Sequence, residues 1–126
     1  MKKIFLLLML ITAFVSCNKD EGSSENLNLI VKNNTDAELL EVQVEIQGQN
    51  LTIPSLSPAT ASESFQVEGA YRYAYIQLKD GNNQTYVLQP IDFTGETFYT
   101  RGTLTYLING LDTSNQSIDL DYIYSE

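Results

Sequence analysis

A single cysteine, Cys17, is the only thiol in the 126-residue chain, and no histidine stands anywhere to partner it. Without histidine the commonest general base is missing, along with the commonest zinc ligand and every Ser-His-Asp or Cys-His arrangement. A lone thiol also excludes a disulfide framework and a paired-thiol metal or redox site. Sixteen carboxylates remain as chemistry-bearing groups. Hydrolysis by a pair of them needs two held together in a pocket, and nothing in their spacing gathers two. "DGNNQ" (80–84) lacks the alternating acids and terminal Glu of a calcium loop and reads as a hairpin connection. No glycine-rich phosphate loop and no G-x-S-x-G occurs. The chain is therefore expected to be no enzyme, with no catalytic residue, metal or cofactor.

Two groupings are left. The first is the junction around Cys17. Lys2 and Lys3 precede an apolar run, Ile4 to Val15, that ends at Ser16-Cys17. The run falls short of the about 20 residues of a spanning helix and reads as an export signal, residues 1–16. The second grouping is "AYRYAYIQL" (70–78), where Tyr71, Tyr73 and Tyr75 alternate with Arg72, Ala74, Ile76 and Leu78. On a strand these two sets face opposite ways, and Arg72 would sit unpaired in a core if both were buried. Two arrangements satisfy this. Either the tyrosines pack inward, in keeping with eight tyrosines and no tryptophan to fill a core, or Ala74, Ile76 and Leu78 do. In the second case the tyrosines form an outer strip, whose flat apolar area and polar tips suit a sugar ring or a protein partner.

The stretch Phe14-Val15-Ser16-Cys17 resembles a bacterial lipobox, with Phe14 where that family most often has leucine. The resemblance implies diacylglycerol on the Cys17 thioether, cleavage before it and acylation of the new amino terminus. Several acyl chains, at about 0.8 kcal/mol per buried methylene, give stable anchoring. Lys19-Asp20-Glu21 then resembles the Bacteroidota-type tether that sends lipoproteins to the cell surface. Residues 18–26 carry no apolar side chain, and nine such residues span roughly 15–18 Å. The expected location is the outer membrane, held by lipid and exposed at the surface.

Charge agrees with this. All sixteen acids follow Cys17, while only five of the seven basic residues do, a side-chain balance of −11. Such a surface repels nucleic acid and anionic headgroups. Contact with the membrane is expected through the lipid rather than the protein face, and no nucleic acid is expected as a partner.

Residues 27–126 must position whatever binds. They suffice for one small core, and their apolar pattern has period two. Strand-like segments occupy 27–33, 39–47, 64–67, 70–78, 84–89, 103–109 and 117–124, separated by Asn-, Asp- and Gly-rich turns. This predicts a single small all-β domain, a sandwich of about seven antiparallel strands. Glu41 and Glu45 on the second strand, and Asp119 and Asp121 on the last, are expected to face outward and discourage edge-to-edge pairing. Residues 31–67, "VKNNTDAELLEVQVEI" followed by "IPSLSPATASESFQV", resemble the first half of immunoglobulin-like adhesion-type modules of bacterial extracellular proteins. That resemblance implies an immunoglobulin-like sandwich. Two roles fit the whole chain: a surface module binding a glycan or a protein, or a structural, accessory or immunity-type inhibitor subunit of an envelope complex.

Overall fold

A computed structural model describes residues 26–126. The signal segment, Cys17 and the Lys19-Asp20-Glu21 tether lie outside the described residues.

Eight strands form two sheets: β1 (Leu27–Asn33), β2 (Leu39–Ile46), β3 (Gln49–Leu56), β4 (Phe65–Val67), β5 (Tyr75–Lys79), β6 (Thr85–Leu88), β7 (Gly102–Asp112) and β8 (Ser117–Ser125). One sheet runs β4-β1-β7-β8 and the other β3-β2-β5-β6. Alternation explains the layering. Leu27, Leu29 and Val31 of β1, and Leu104, Tyr106 and Ile108 of β7, point inward. They meet Val42, Val44 and Ile46 of β2 and Ile76 and Leu78 of β5. The architecture is the expected all-β sandwich.

Its details differ from expectation in three ways. An additional strand, β3, is present although Pro54 lies within it; β3 is an edge strand, where a missing N–H costs no ladder bond. Next, β1 pairs with β7 in parallel, from Leu27↔Gly102 to Asn33↔Ile108, so the sheets are not wholly antiparallel. Finally, β2 and β3 form a hairpin within one sheet, whereas an immunoglobulin order places its second and third strands in opposite sheets. The turn needs only Gln47 and Gly48, with φ of 37° and 83°. Two positive φ values match the right-handed twist of the strands they join.

The charged faces also divide differently. Asp119 and Asp121 are exposed on edge strand β8, as expected. Glu41 and Glu45 are exposed too, but β2 is an interior strand and they guard no edge. Glu41 has a φ of 49° where the β2–β5 register shifts. The bulge lets Leu39 and Val42, three residues apart, both enter the core.

Loops are tied by short side chains. Asn33 is fully buried; its Nδ2 donates to the carbonyls of Ala37 (2.8 Å) and Leu56 (2.9 Å). Its Oδ1 accepts from Thr35 N and Oγ1. Asp80 Oδ1 accepts from the backbone of Asn82 and Gln84 across the β5–β6 turn, and Tyr86 Oη donates to Oδ2. On one flank the sandwich is closed by Val87 N donating to Gln116 O at 3.1 Å. Among the described residues, every buried side-chain nitrogen and oxygen has a partner.

Candidate functional site

Ala70, Ala74, Ile76 and Leu78 are buried, and Tyr71, Tyr73 and Tyr75 are half-buried on the outer side. Of the two arrangements open to the sequence, this is the outer strip. The core takes other tyrosines, Tyr86 and Tyr106, as its largest side chains. Only residues 75–79 join the sheet ladder, however; residues 70–74 leave it, apart from one bridge between Ala70 and Tyr99. Leaving the ladder frees Arg72 from any inward position, so it lies exposed.

What detains residues 70–74 is the segment 89–100, which crosses the strip as a strap. Ala70 and Tyr99 exchange two backbone hydrogen bonds of 2.9 and 2.8 Å. Phe93 stacks on Tyr71, with centroids 4.3 Å apart and planes 11° from parallel, and lies 5.4 Å from the Tyr73 ring. The Tyr73 hydroxyl donates to the carbonyl of Asp92 at 3.1 Å. Arg72 grips Glu96 with both ends of its fork, at 2.7 and 3.1 Å. Its guanidinium also stands 5.0 Å from the Tyr73 ring centroid.

These contacts set the local electrostatics. The Arg72 hydrogen bonds hold the Glu96 carboxyl below its usual range. Desolvation, then the Glu96 charge, pushes the Tyr73 phenol up. Arg72 is paired with Glu96 of the strap and does not line the cleft beside it.

Across from the strap stands the tip of the β2–β3 hairpin. Between them opens a cleft of about 380 Å³, lined on one side by Tyr71, Tyr73, Tyr75 and Phe93 and on the other by Glu45, Gln47, Gln49 and Asn50. All three sequence-predicted tyrosines therefore meet at one place. Sheet register continues the site onto the open face. Glu45 is opposite both Asn50 and Tyr75. One row along, Gln43 is opposite Thr52 and Gln77, and the Tyr75 hydroxyl is fixed to Gln77 Oε1 at 3.1 Å.

The cleft wall includes one carboxylate, Glu45, and no lysine or arginine. It supplies aromatic faces and amide donors and acceptors, which is binding chemistry. Among the described residues, no three His, Cys, Asp or Glu side chains gather as a metal site.

Sequence reasoning missed Phe93, Glu45 and the hairpin amides. The one signal for the hairpin is Gln47-Gly48, a turn pair directly after the alternating run of β2. A second cleft, of about 490 Å³, opens beyond Pro90, lined by Leu88, Ile118 and Leu120, with Ile91 96% exposed at its rim.

No family model and no curated protein matches the chain. Among solved structures, one described as the NMR structure of the protein from Eubacterium rectale is similar, with a TM-score of 0.57. The match covers 84% of this chain and 96% of that one at 14% identity. At that identity the likeness is one of fold.

Proposed function

We propose that this chain is a lipoprotein of the bacterial outer membrane, anchored by acyl chains on Cys17 and carried to the surface by the Lys19-Asp20-Glu21 tether. There it presents a non-catalytic β-sandwich that binds a glycan or a protein. The observation that carries the binding reading is the placement of Tyr71, Tyr73 and Tyr75 outside a core already filled by Ala74, Ile76 and Leu78, around one cleft. Aromatic side chains that the core does not need, beside the exposed amides of Gln47, Gln49 and Asn50, suit a recognition surface.

Cell fractionation joined to ligand capture tests both halves. Cys17→Ser moves the protein from membranes to soluble fractions, and intact mass of the parent chain shows diacylglycerol and acyl groups on a chain starting at Cys17. Tyr75→Ala leaves the anchor in place and abolishes capture. Cleavage elsewhere without lipid mass overturns the anchor; capture indifferent to Tyr75 overturns the site. Replacing Lys19, Asp20 and Glu21 with alanine keeps lipidation but hides the domain from protease added to whole cells. Equal accessibility makes the tether a mere spacer.

The structural or inhibitor role is favoured by a different feature, the exposed Ile91 beside its apolar cleft. Exposed apolar groups ringing a depression are where protein partners dock. Under that reading Ile91→Ser, rather than Tyr75→Ala, is the change that frees the protein from its complex.

A further inference from the structure

We propose that the cleft between the β2–β3 hairpin and the strap takes an uncharged saccharide, and that Glu45 is the residue that turns acidic sugars away. This rests on the binding reading above and names its ligand class. Three observations carry it. First, the cleft combines aromatic faces with Gln47, Gln49 and Asn50. A primary amide both donates and accepts, as does a sugar hydroxyl, while an aromatic face covers the apolar C–H side of a pyranose ring.

Second, the charge at the cleft has one sign. Glu45 is the ionic residue of its wall, and Arg72, on the tyrosine-bearing stretch, is held in two hydrogen bonds by Glu96 of the strap. Lys79, on the same outer face as Tyr75, lies 3.6 Å from Glu41. A carboxylate or sulfate on a sugar would thus meet Glu45 with no counter-charge at the wall. An uncharged ring can instead place its hydroxyl hydrogens on the Glu45 oxygens, and hydrogen bonds to a charged acceptor are the stronger kind.

Third, the site extends in a line. Asn50, Glu45 and Tyr75 lie side by side on three adjacent strands, and the Thr52, Gln43 and Gln77 row follows. The sequence of polar groups from cleft to open face fits a chain of several sugar units better than a monosaccharide. The backbones of β2 and β5 beneath this row are paired on both sides, so a peptide could add a strand only at the free edge of β3 and not along the row itself.

The test is titration of the purified full chain with two sets of oligosaccharides: neutral hexose and N-acetylhexosamine oligomers, and the same backbones bearing carboxylate or sulfate. Neutral oligomers are expected to bind, with longer ones tighter, and the acidic counterparts to bind about tenfold more weakly, the scale of one like-charge contact largely screened by water in an open cleft. Glu45→Gln is expected to shrink that gap, and Tyr75→Ala to remove binding of both sets. Equal or tighter binding of the acidic set overturns the inference and leaves the binding module standing. So does failure of every oligosaccharide while a lysine-rich peptide binds in a Tyr75-dependent way. Failure of both kinds of probe to respond to Tyr75→Ala overturns the inference and the binding reading together.

Discussion

The hydroxyl of Tyr106 crosses from one sheet to donate a 2.7 Å hydrogen bond to the backbone carbonyl of Tyr71 on the other side of the sandwich. Tyr106 is a core residue of β7, and burial pushes its phenol well above the usual range. Tyr71 begins the aromatic strip, in the stretch that has left the ladder. One hydrogen bond therefore ties the floor of the candidate cleft to the middle of the opposite sheet.

Tyr106→Phe keeps the ring and deletes that tie. Loss of a hydrogen bond of this kind costs about 1 kcal/mol, which chemical denaturation can read. Ligand capture is expected to fall more than that loss of stability explains, because the Tyr71 carbonyl is no longer held. Unchanged capture means the strip is positioned by the strap alone.

Tyr75 and Ile76 are neighbours with opposite fates. Ile76→Ala opens a hole in a fully buried position and should cost about 2–5 kcal/mol. Tyr75→Ala removes a half-exposed ring and should lower Tm by no more than about 4 °C. Two melting curves decide the matter. Equal losses would mean that Tyr75 is a core residue.

Acid should loosen the loops before the sheets. The backbone N–H of Gln84, the Ser114 hydroxyl and the Arg72 guanidinium hold the carboxyls of Asp80, Asp112 and Glu96, in that order, below their usual values. A carboxyl depressed in the folded state stabilises it above the unfolded pKa of about 3.9–4.3, and that contribution is lost as pH falls through the folded value. Tm should thus hold from neutral pH to about pH 5 and decline below about pH 4. The double variant Asp80→Asn, Asp112→Asn should start lower and decline less. A steeper acid decline in the variant would refute this assignment.

Gly69 and Gly102 are close-approach positions. A β-carbon at Gly69 would come within 2.6 Å of the Phe98 ring and 2.9 Å of the Tyr99 carbonyl. Gly69→Ala is expected to unseat the strap and weaken capture. At Gly102, φ is 88° and a β-carbon would meet Ser125 O at 2.6 Å. Gly102→Ala combines left-handed strain with a backbone clash and should cost about 2–4 kcal/mol. Hydrogen exchange across 89–100 separates the two, rising in the first variant and not selectively in the second.

Asn33→Ala deletes four hydrogen bonds, two donated and two accepted, at a fully buried site. A loss of about 2–3 kcal/mol is expected. A neutral result would mean that water replaces the amide.

Much of the sandwich was legible from alternation. Leu27–Asn33 forms a strand over its full expected length, and Ile118, Leu120 and Tyr122 turn inward as their spacing requires. Alternation could not reveal β3, because Pro54 and the polar Gln49 and Asn50 break its apolar rhythm while the edge position tolerates them. Nor can it tell an interior strand from an edge, so it assigns Glu41 and Glu45 of the interior strand β2 an edge role. In the site, the tyrosines were legible because they share one short run. Glu45, thirty residues before Tyr75, becomes its neighbour only through β2–β5 pairing. Such pairing is a property of the whole sheet and leaves no mark on either segment.

The chain enters the fold at Leu27, at the start of β1, which has β4 on one side and β7 on the other. Any load applied from upstream is therefore delivered to an inner strand and along its length. Ten registered residue pairs, seven with β7 and three with β4, would have to slide together rather than unzip one after another. Under the proposed anchoring and binding, a pull between the two would thereby load the domain in shear along β1.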